Sequence, residues 1–189
     1  MNMFLSKDAK EVNELTQKLN EYNKGRQEIE KNIFADAVCQ IEENNLQEKS
    51  TITLMGKNWH HGVIGIVASK ITEMYFKPSI LLCEEGDIGK GSGRSIPGFD
   101  LYEALTKCQK SIDRFGGHAM AVGITVDKEK FEEFRKKFEE IAKENHIEEI
   151  VPILKIDSII SLDEINKDMV ESLKELEPFG EENKNPLFL

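Results

Sequence analysis

Near the start of the chain the apolar and long side chains recur every three or four residues. Val12, Leu15, Leu19, Tyr22, Arg26, Ile29 and Ile33 follow a 3-4-3-4-3-4 spacing that lines one face of a helix. The pattern predicts a long helical arm, capped by Ser6 or Asp8 and broken near Gly25 into two helices. About four repeats with an arginine in the stripe fit a connector lying across a neighbouring domain better than a self-associating coiled coil. From residue 51 the period changes. Thr51 to Met55 reads as a strand, Gly62 to Tyr75 as a helix, Pro78 to Cys83 as a buried strand and Ile88 to Ser95 as another strand. Asp100 and Glu103 have capping-box spacing and open a helix predicted over 100–111. A glycine-rich turn follows, then a strand over Ala121 to Val126. Phe131, Phe134, Phe138 and Ile141 form a helical stripe that closes the core.

Such alternation implies an α/β layer structure. The tail from Val151 reads as a strand over Ile153 to Ile160, then a short helix with Met169, Val170, Leu173 and Leu176 inward. It ends on Pro186-Leu187-Phe188-Leu189 without a polar finish, which we read as a domain cut short.

Composition narrows the functional classes. No apolar run approaches the roughly 20 residues of a membrane-spanning helix, and Met1 to Asp8 lacks the order of a signal peptide, so a cytoplasmic protein is expected. Cys39, Cys83 and Cys108 are odd in number and widely spaced, which suggests neither a disulfide framework nor a zinc site; we read them as reduced and structural. A net charge of -10 argues against a nucleic-acid partner until its distribution is considered. Residues 51–120 hold 8 of the 25 Lys plus Arg and only 7 of the 35 Asp plus Glu, so the acid sits on the flanks. The same stretch holds 10 of the 13 glycines and 3 of the 4 histidines, so candidate chemistry lies there.

Three clusters stand out. In Gly89-Lys90-Gly91-Ser92-Gly93-Arg94-Ser95 an extended strand puts Lys90, Ser92 and Arg94 on one face. Ammonium, hydroxyl and guanidinium in a row, backed by glycines that admit close approach, match phosphate; a glycine-rich edge strand or hairpin with solvated charges is the plainer alternative. Neither the GxxxxGK[ST] loop nor the GxGxxG fingerprint is present. In Phe115-Gly116-Gly117-His118 the double glycine is expected to turn the chain tightly and present an imidazole for hydrogen bonding or proton transfer, the alternative being an ordinary surface histidine. Trp59-His60-His61-Gly62 stands at a helix entrance, where backbone amides favour anions. No metal-ligand spacing is seen, and no carboxylate set fit for two-metal phosphodiester hydrolysis.

Taken in order, Trp59-His60, Gly62-Val63-Ile64-Gly65-Ile66-Val67-Ala68, Gly91-Ser92-Gly93-Arg94-Ser95 and Gly116-Gly117-His118-Ala119-Met120-Ala121-Val122-Gly123 resemble the DHHA1 domain of RecJ-type single-strand-specific DNA exonucleases. The arm with Leu19-Asn20, Asn23, Arg26 and Glu28 is similar to the helix joining the two catalytic-core domains of that family. Leu176-Glu177-Pro178-Phe179-Gly180, with Asn185-Pro186 and Phe188, is similar to the segment entering its OB-fold domain.

The resemblance implies a DHHA1-like mixed sheet with flanking helices. A helical connector over 1–49 would precede a substrate-binding domain over 50–148, and the start of an OB-fold domain would occupy 149–189. It implies that Ser92 and Arg94 hold the phosphates of single-stranded DNA; from the clusters above, Lys90, Gly91, Gly116, Gly117, His118 and His60 complete the expected phosphate-binding set. His118 would reach toward the scissile phosphate as the catalytic residue of this part. Manganese or magnesium would belong to a DHH domain, whose motifs are absent here, with no cofactor or metal in this fragment. That domain is then a partner, as is a single-strand-binding protein in the full-length enzyme. Degradation from the 5′ end in recombination and repair is the implied role, with the fragment inactive alone. Relatives that cleave short RNAs or cyclic dinucleotides are the alternative, and a non-enzymatic helical interaction module is another. Val122 stands where the family motif usually has alanine, and Glu182 replaces the glycine common after Pro-Phe-Gly, which puts the local turn there in doubt.

Overall fold

A computed structural model describes residues 2–180 and 182–189. Compact units cover residues 1–150 and 151–189.

In the first unit a short α1 (Asn2–Leu5) precedes α2 (Ala9–Glu43), a single helix of 35 residues. Asp8 caps α2 by accepting the Lys10 N–H. Gly25 does not break it: nothing lies within 4 Å of a Cβ placed there, and the helix runs through. The buried positions of α2 are Glu30, Ile33, Ala37 and Ile41, so its second half packs into the core while Leu19, Tyr22 and Ile29 of the expected stripe stay exposed. Glu30 is a buried carboxylate answered by Lys70 and Arg26, each at 2.5 Å. The Lys70 hydrogen bond, with help from Arg26, outweighs burial and holds this carboxyl below its ordinary range.

The sheet has the order β1-β2-β3-β5-β4. Strand β1 (Ile52–Gly56) pairs in parallel with β2 (Ser79–Glu85), and α3 (His61–Tyr75) supplies the crossover that a parallel pair requires. Strands β3 (Ile88–Arg94), β5 (Ala121–Asp127) and β4 (Arg114–His118) add antiparallel neighbours. Between β3 and β4, α4 covers Leu101–Lys107 and a single 3-10 turn covers Gln109–Ser111, so the helix predicted over 100–111 is divided at Cys108. Helix α5 (Phe131–Glu144) follows β5.

Side-chain alternation divides the core in two. On one face Leu81, Cys83, Ile52 and Leu54 pack under α3 and the second half of α2. On the other, Ile80, Leu82, Val122, Ile124 and Val126 pack under α4 and α5, around Phe134 and Phe138. The first pair of helices covers only β1 to β3. The same face of β5 and β4 stays open, with Arg114, Gly116, His118 and Gly123 exposed. Cys83 and Cys108 are buried and their thiols pushed up to about 11 and about 12 by burial, whereas Cys39 is exposed on α2.

Among its described residues the second unit contains one α-helix, α6 (Lys167–Lys174), and a 3-10 turn over Leu162–Glu164, and none of them is buried. The strand expected over Ile153 to Ile160 reduces to an isolated parallel bridge between Ser158 and Phe188, because only Asp157 to Ile160 find a backbone partner in the last residues. At Pro178-Phe179-Gly180, Gly180 and Asn183 exchange both backbone hydrogen bonds. The Asn183 amide also donates to the carbonyls of Leu176 and Pro178. The turn therefore closes with Glu182 in place.

Candidate nucleic-acid interface

Strand β3 lies in the middle of the sheet, between β2 and β5, which excludes an edge strand, while the hairpin half of that alternative holds: β3 returns antiparallel to β2 through the turn at Gly86 and Asp87. Its glycines are there for the core and leave no bare surface for a ligand. A Cβ on Gly91 would stand 1.9 Å from the Leu81 carbonyl oxygen. One on Gly93 would press on Val122, Leu101 and Ile80, and one on Gly89 on Met55 and Leu82. The α4 and α5 side of β3 is thus packed too tightly for side chains, and Lys90, Ser92 and Arg94 project from the opposite side, beside α3.

Helix α3 is notched where it passes them. Gly65 lets the Arg94 guanidinium lie against the helix: Nη2 is 2.8 Å from where a Cβ would be. Arg94 Nη1 donates to Ser92 Oγ at 2.5 Å and to the Gly93 carbonyl at 2.8 Å. Ser92 gives its one hydroxyl hydrogen to the Val122 carbonyl, at 3.2 Å. Its chemistry here is therefore to accept from and fix Arg94, rather than to act as an independent donor. Burial alone lowers the Arg94 pKa, with no contribution from a carboxylate. A half-buried guanidinium with Nε and Nη2 unclaimed among the described residues is an anion site in waiting.

The GGH segment is a strand, β4, where a turn was expected. The hairpin bend falls at Ala119 and Met120 instead, and His118 is the last residue of the strand. Gly117 is required by the backbone, with φ of 148° and the Ala121 carbonyl oxygen 2.2 Å from a would-be Cβ. Gly116 meets nothing within 4 Å and leaves the face open. The Met120 N–H points at His118 Nδ1, at 3.3 Å, so the acceptor nitrogen is engaged and neutral His118 presents Nε2–H outward.

Register brings the two clusters together. Ala121 pairs with Arg94 on one side and with His118 on the other, so all three side chains share one face. Below that row, Gly123 lies between Ser92 and Gly116, and Thr125 between Lys90 and Arg114. The result is a trough roughly 10 Å wide, two strand spacings. Its floor is Ala121, Gly123 and Thr125, and its walls carry only neutral or cationic groups at these positions. Sequence reasoning missed Arg114 and Thr125 altogether, and it quoted Gly65, Ala121 and Gly123 within the motifs without giving them a place in the site. The alternation of Arg114, Gly116 and His118 would have shown it, had this stretch been read as a strand.

His60 caps α3, its Nδ1 accepting the Gly62 N–H at 2.9 Å, so that helix entrance is already served by its own side chain. His61 pairs with Glu85. Among the described residues no group of three or more His, Cys, Asp or Glu could hold a metal ion. No helix of the described residues is long and apolar enough to cross a membrane.

Residues 47–144 match the DHHA1 domain family and residues 156–189 the RecJ OB domain family. The chain is 34% identical over 189 residues to the single-stranded-DNA-specific exonuclease RecJ of Bacillus subtilis, covering 98% of this chain and 24% of that protein. It is 33% identical to RecJ of Salmonella typhimurium, covering 98% of this chain and 34% of that one. The crystal structure of RecJ from Thermus thermophilus in complex with Mg2+ superposes with a TM-score of 0.81 at 28% identity, covering 99% of this chain and 29% of that one. The chain thus spans about a quarter to a third of the length of these relatives. The DHHA1 match spans about half of the chain, which therefore belongs to the DHHA1 family, and the chain is similar in sequence and structure to one region of RecJ.

Proposed function

We propose that this chain is the strand-gripping part of a metal-dependent exonuclease that degrades single-stranded DNA from the 5′ end in recombination and repair, in the cytoplasm. The observation that carries the reading is the placement of Arg94 and His118 on either side of Ala121, facing one open trough. A guanidinium with free donors on one wall and an imidazole Nε2–H on the other suit a phosphodiester held between them. The small floor residues leave room for the sugar-phosphate chain, and Lys90 adds charge along the same wall. His60 acts by ordering the start of α3.

In this reading Arg94 binds phosphate and Ser92 positions Arg94. The backbone turn at Gly117 aims His118, which donates to the scissile phosphate. Hydrolysis belongs to a DHH domain outside this chain, which would hold Mn2+ or Mg2+ and face the trough. The helical segment 1–49 connects to it, residues 50–148 grip the strand and residues 149–189 enter an OB-fold domain. A single-strand-binding protein is a further partner of the whole enzyme.

The test is to incubate the 189-residue chain with an end-labelled oligothymidylate and Mn2+, following anisotropy and product length together. Binding that weakens with salt, without cleavage, is the expected result. Robust hydrolysis would show that the active site is in this chain, and absence of binding at millimolar protein would overturn the assignment of the trough.

A further inference from the structure

Beyond the Arg94 and His118 pair, the trough carries a second cationic pair. Lys90 and Arg114 flank Thr125 as Arg94 and His118 flank Ala121. Each lies four residues along its strand from its counterpart, so the two rows stand roughly 13 Å apart. Lys90 and Arg114 are exposed, and neither is in an ion pair or side-chain hydrogen bond among the described residues. Between the rows the wall and floor positions are Ser92, Gly116 and Gly123, with no acid and no bulky side chain. Asp127, next on the same face of β5, accepts the Glu129 N–H at one carboxylate oxygen, and its negative charge ends the run.

We propose that Lys90 and Arg114 form a second phosphate seat, and that the DNA strand runs lengthwise along β5 rather than crossing it. This rests on the trough being the nucleic-acid site, and it adds the path and the number of phosphates held. The spacing of the rows exceeds one nucleotide step and suits phosphates two steps apart, so a strand laid along β5 engages both rows while a very short one engages only the first. Arg114 carries most of the new seat because its guanidinium, at the edge of the sheet, can meet a phosphate with two parallel N–H donors. Lys90 contributes a point charge from the opposite wall.

The discriminating experiment is an NMR titration of the 189-residue chain with oligothymidylates of two lengths and without terminal phosphates, a trinucleotide, whose phosphates lie one step apart, and an octanucleotide. The trinucleotide should shift the Arg94 Nε–Hε and His118 ring signals alone. The octanucleotide should also shift Arg114 Nε–Hε and the Thr125 amide. In parallel, Arg114→Gln should reduce the slope of log affinity against log salt for the octanucleotide by about 0.7, the contribution of one phosphate contact on a single strand, and leave the trinucleotide unaffected. If the octanucleotide moves Arg94 and His118 but not Arg114 and Thr125, and the slope is unchanged, the second seat is wrong and the gripping role stands. If neither row responds at millimolar concentration, both fall.

Discussion

The guanidinium of Arg94 occupies the space that a side chain on Gly65 would need, Nη2 lying 2.8 Å from the position of that missing Cβ. Helix α3 can therefore lie against the arginine only because residue 65 has no side chain. Gly65→Ala should displace Arg94 from its place beside Ser92 and weaken oligothymidylate binding several-fold. The obstructing atom is the tip of a flexible side chain, and alanine favours the helix by up to about 1 kcal/mol, so the melting temperature should hold or rise. Anisotropy and thermal melting on the same variant separate the two effects; a fall in stability with unchanged binding would mean that Arg94 does not act from this position.

Arg94→Ala removes the contact itself. Strand binding should weaken by about 1 to 3 kcal/mol, the usual range for a charge-assisted hydrogen bond. In the whole enzyme the loss should appear in turnover on single-stranded DNA as well. Wild-type affinity and turnover would refute the role given to this residue.

The adjacent glycines of β4 should behave differently. Gly117→Ala meets the Ala121 carbonyl oxygen at 2.2 Å with φ at 148°, and should cost about 2 kcal/mol or more of stability. Gly116→Ala meets nothing within 4 Å and should melt close to the wild type. Chemical denaturation of the two variants checks this; equal stability would mean that the hairpin relaxes around residue 117.

Acid stability should depend on Glu139. This carboxylate on α5 accepts the Ser50 N–H at 3.0 Å, the Thr51 N–H at 2.9 Å and the Thr51 hydroxyl at 2.8 Å, fastening the entry to β1. Burial pushes its pKa up, but the Ser50 and Thr51 hydrogen bonds and Lys143 together prevail and hold it below its ordinary value of 4.5. Its contribution is therefore fully present above that value and is lost as pH falls through the depressed folded-state value. The wild type should lose melting temperature below about pH 4.5, and Glu139→Gln should be less stable at neutral pH with a shallower acid decline. Parallel pH profiles would show that other carboxylates govern the acid transition.

Read alone, the chain revealed its elements wherever apolar periodicity was long. Helices α3 and α5, strands β1, β2, β3 and β5, and the shared face of Lys90, Ser92 and Arg94 all follow from local pattern, because periods of 3.6 and 2 are properties of a single segment. The motif order around Arg94 and His118 also carried the family. Strand β4 was not legible, since Arg-Phe-Gly-Gly-His has one apolar residue and two glycines, and its extended shape depends on hydrogen bonds from β5. The reason for the β3 glycines was hidden as well: they answer the Leu81 backbone and the Val122, Leu101 and Ile80 side chains, partners remote in the sequence. Only tertiary structure could decide that Ala121 lies between Arg94 and His118, because strand register joins residues 94, 121 and 118 through contacts that no local period encodes.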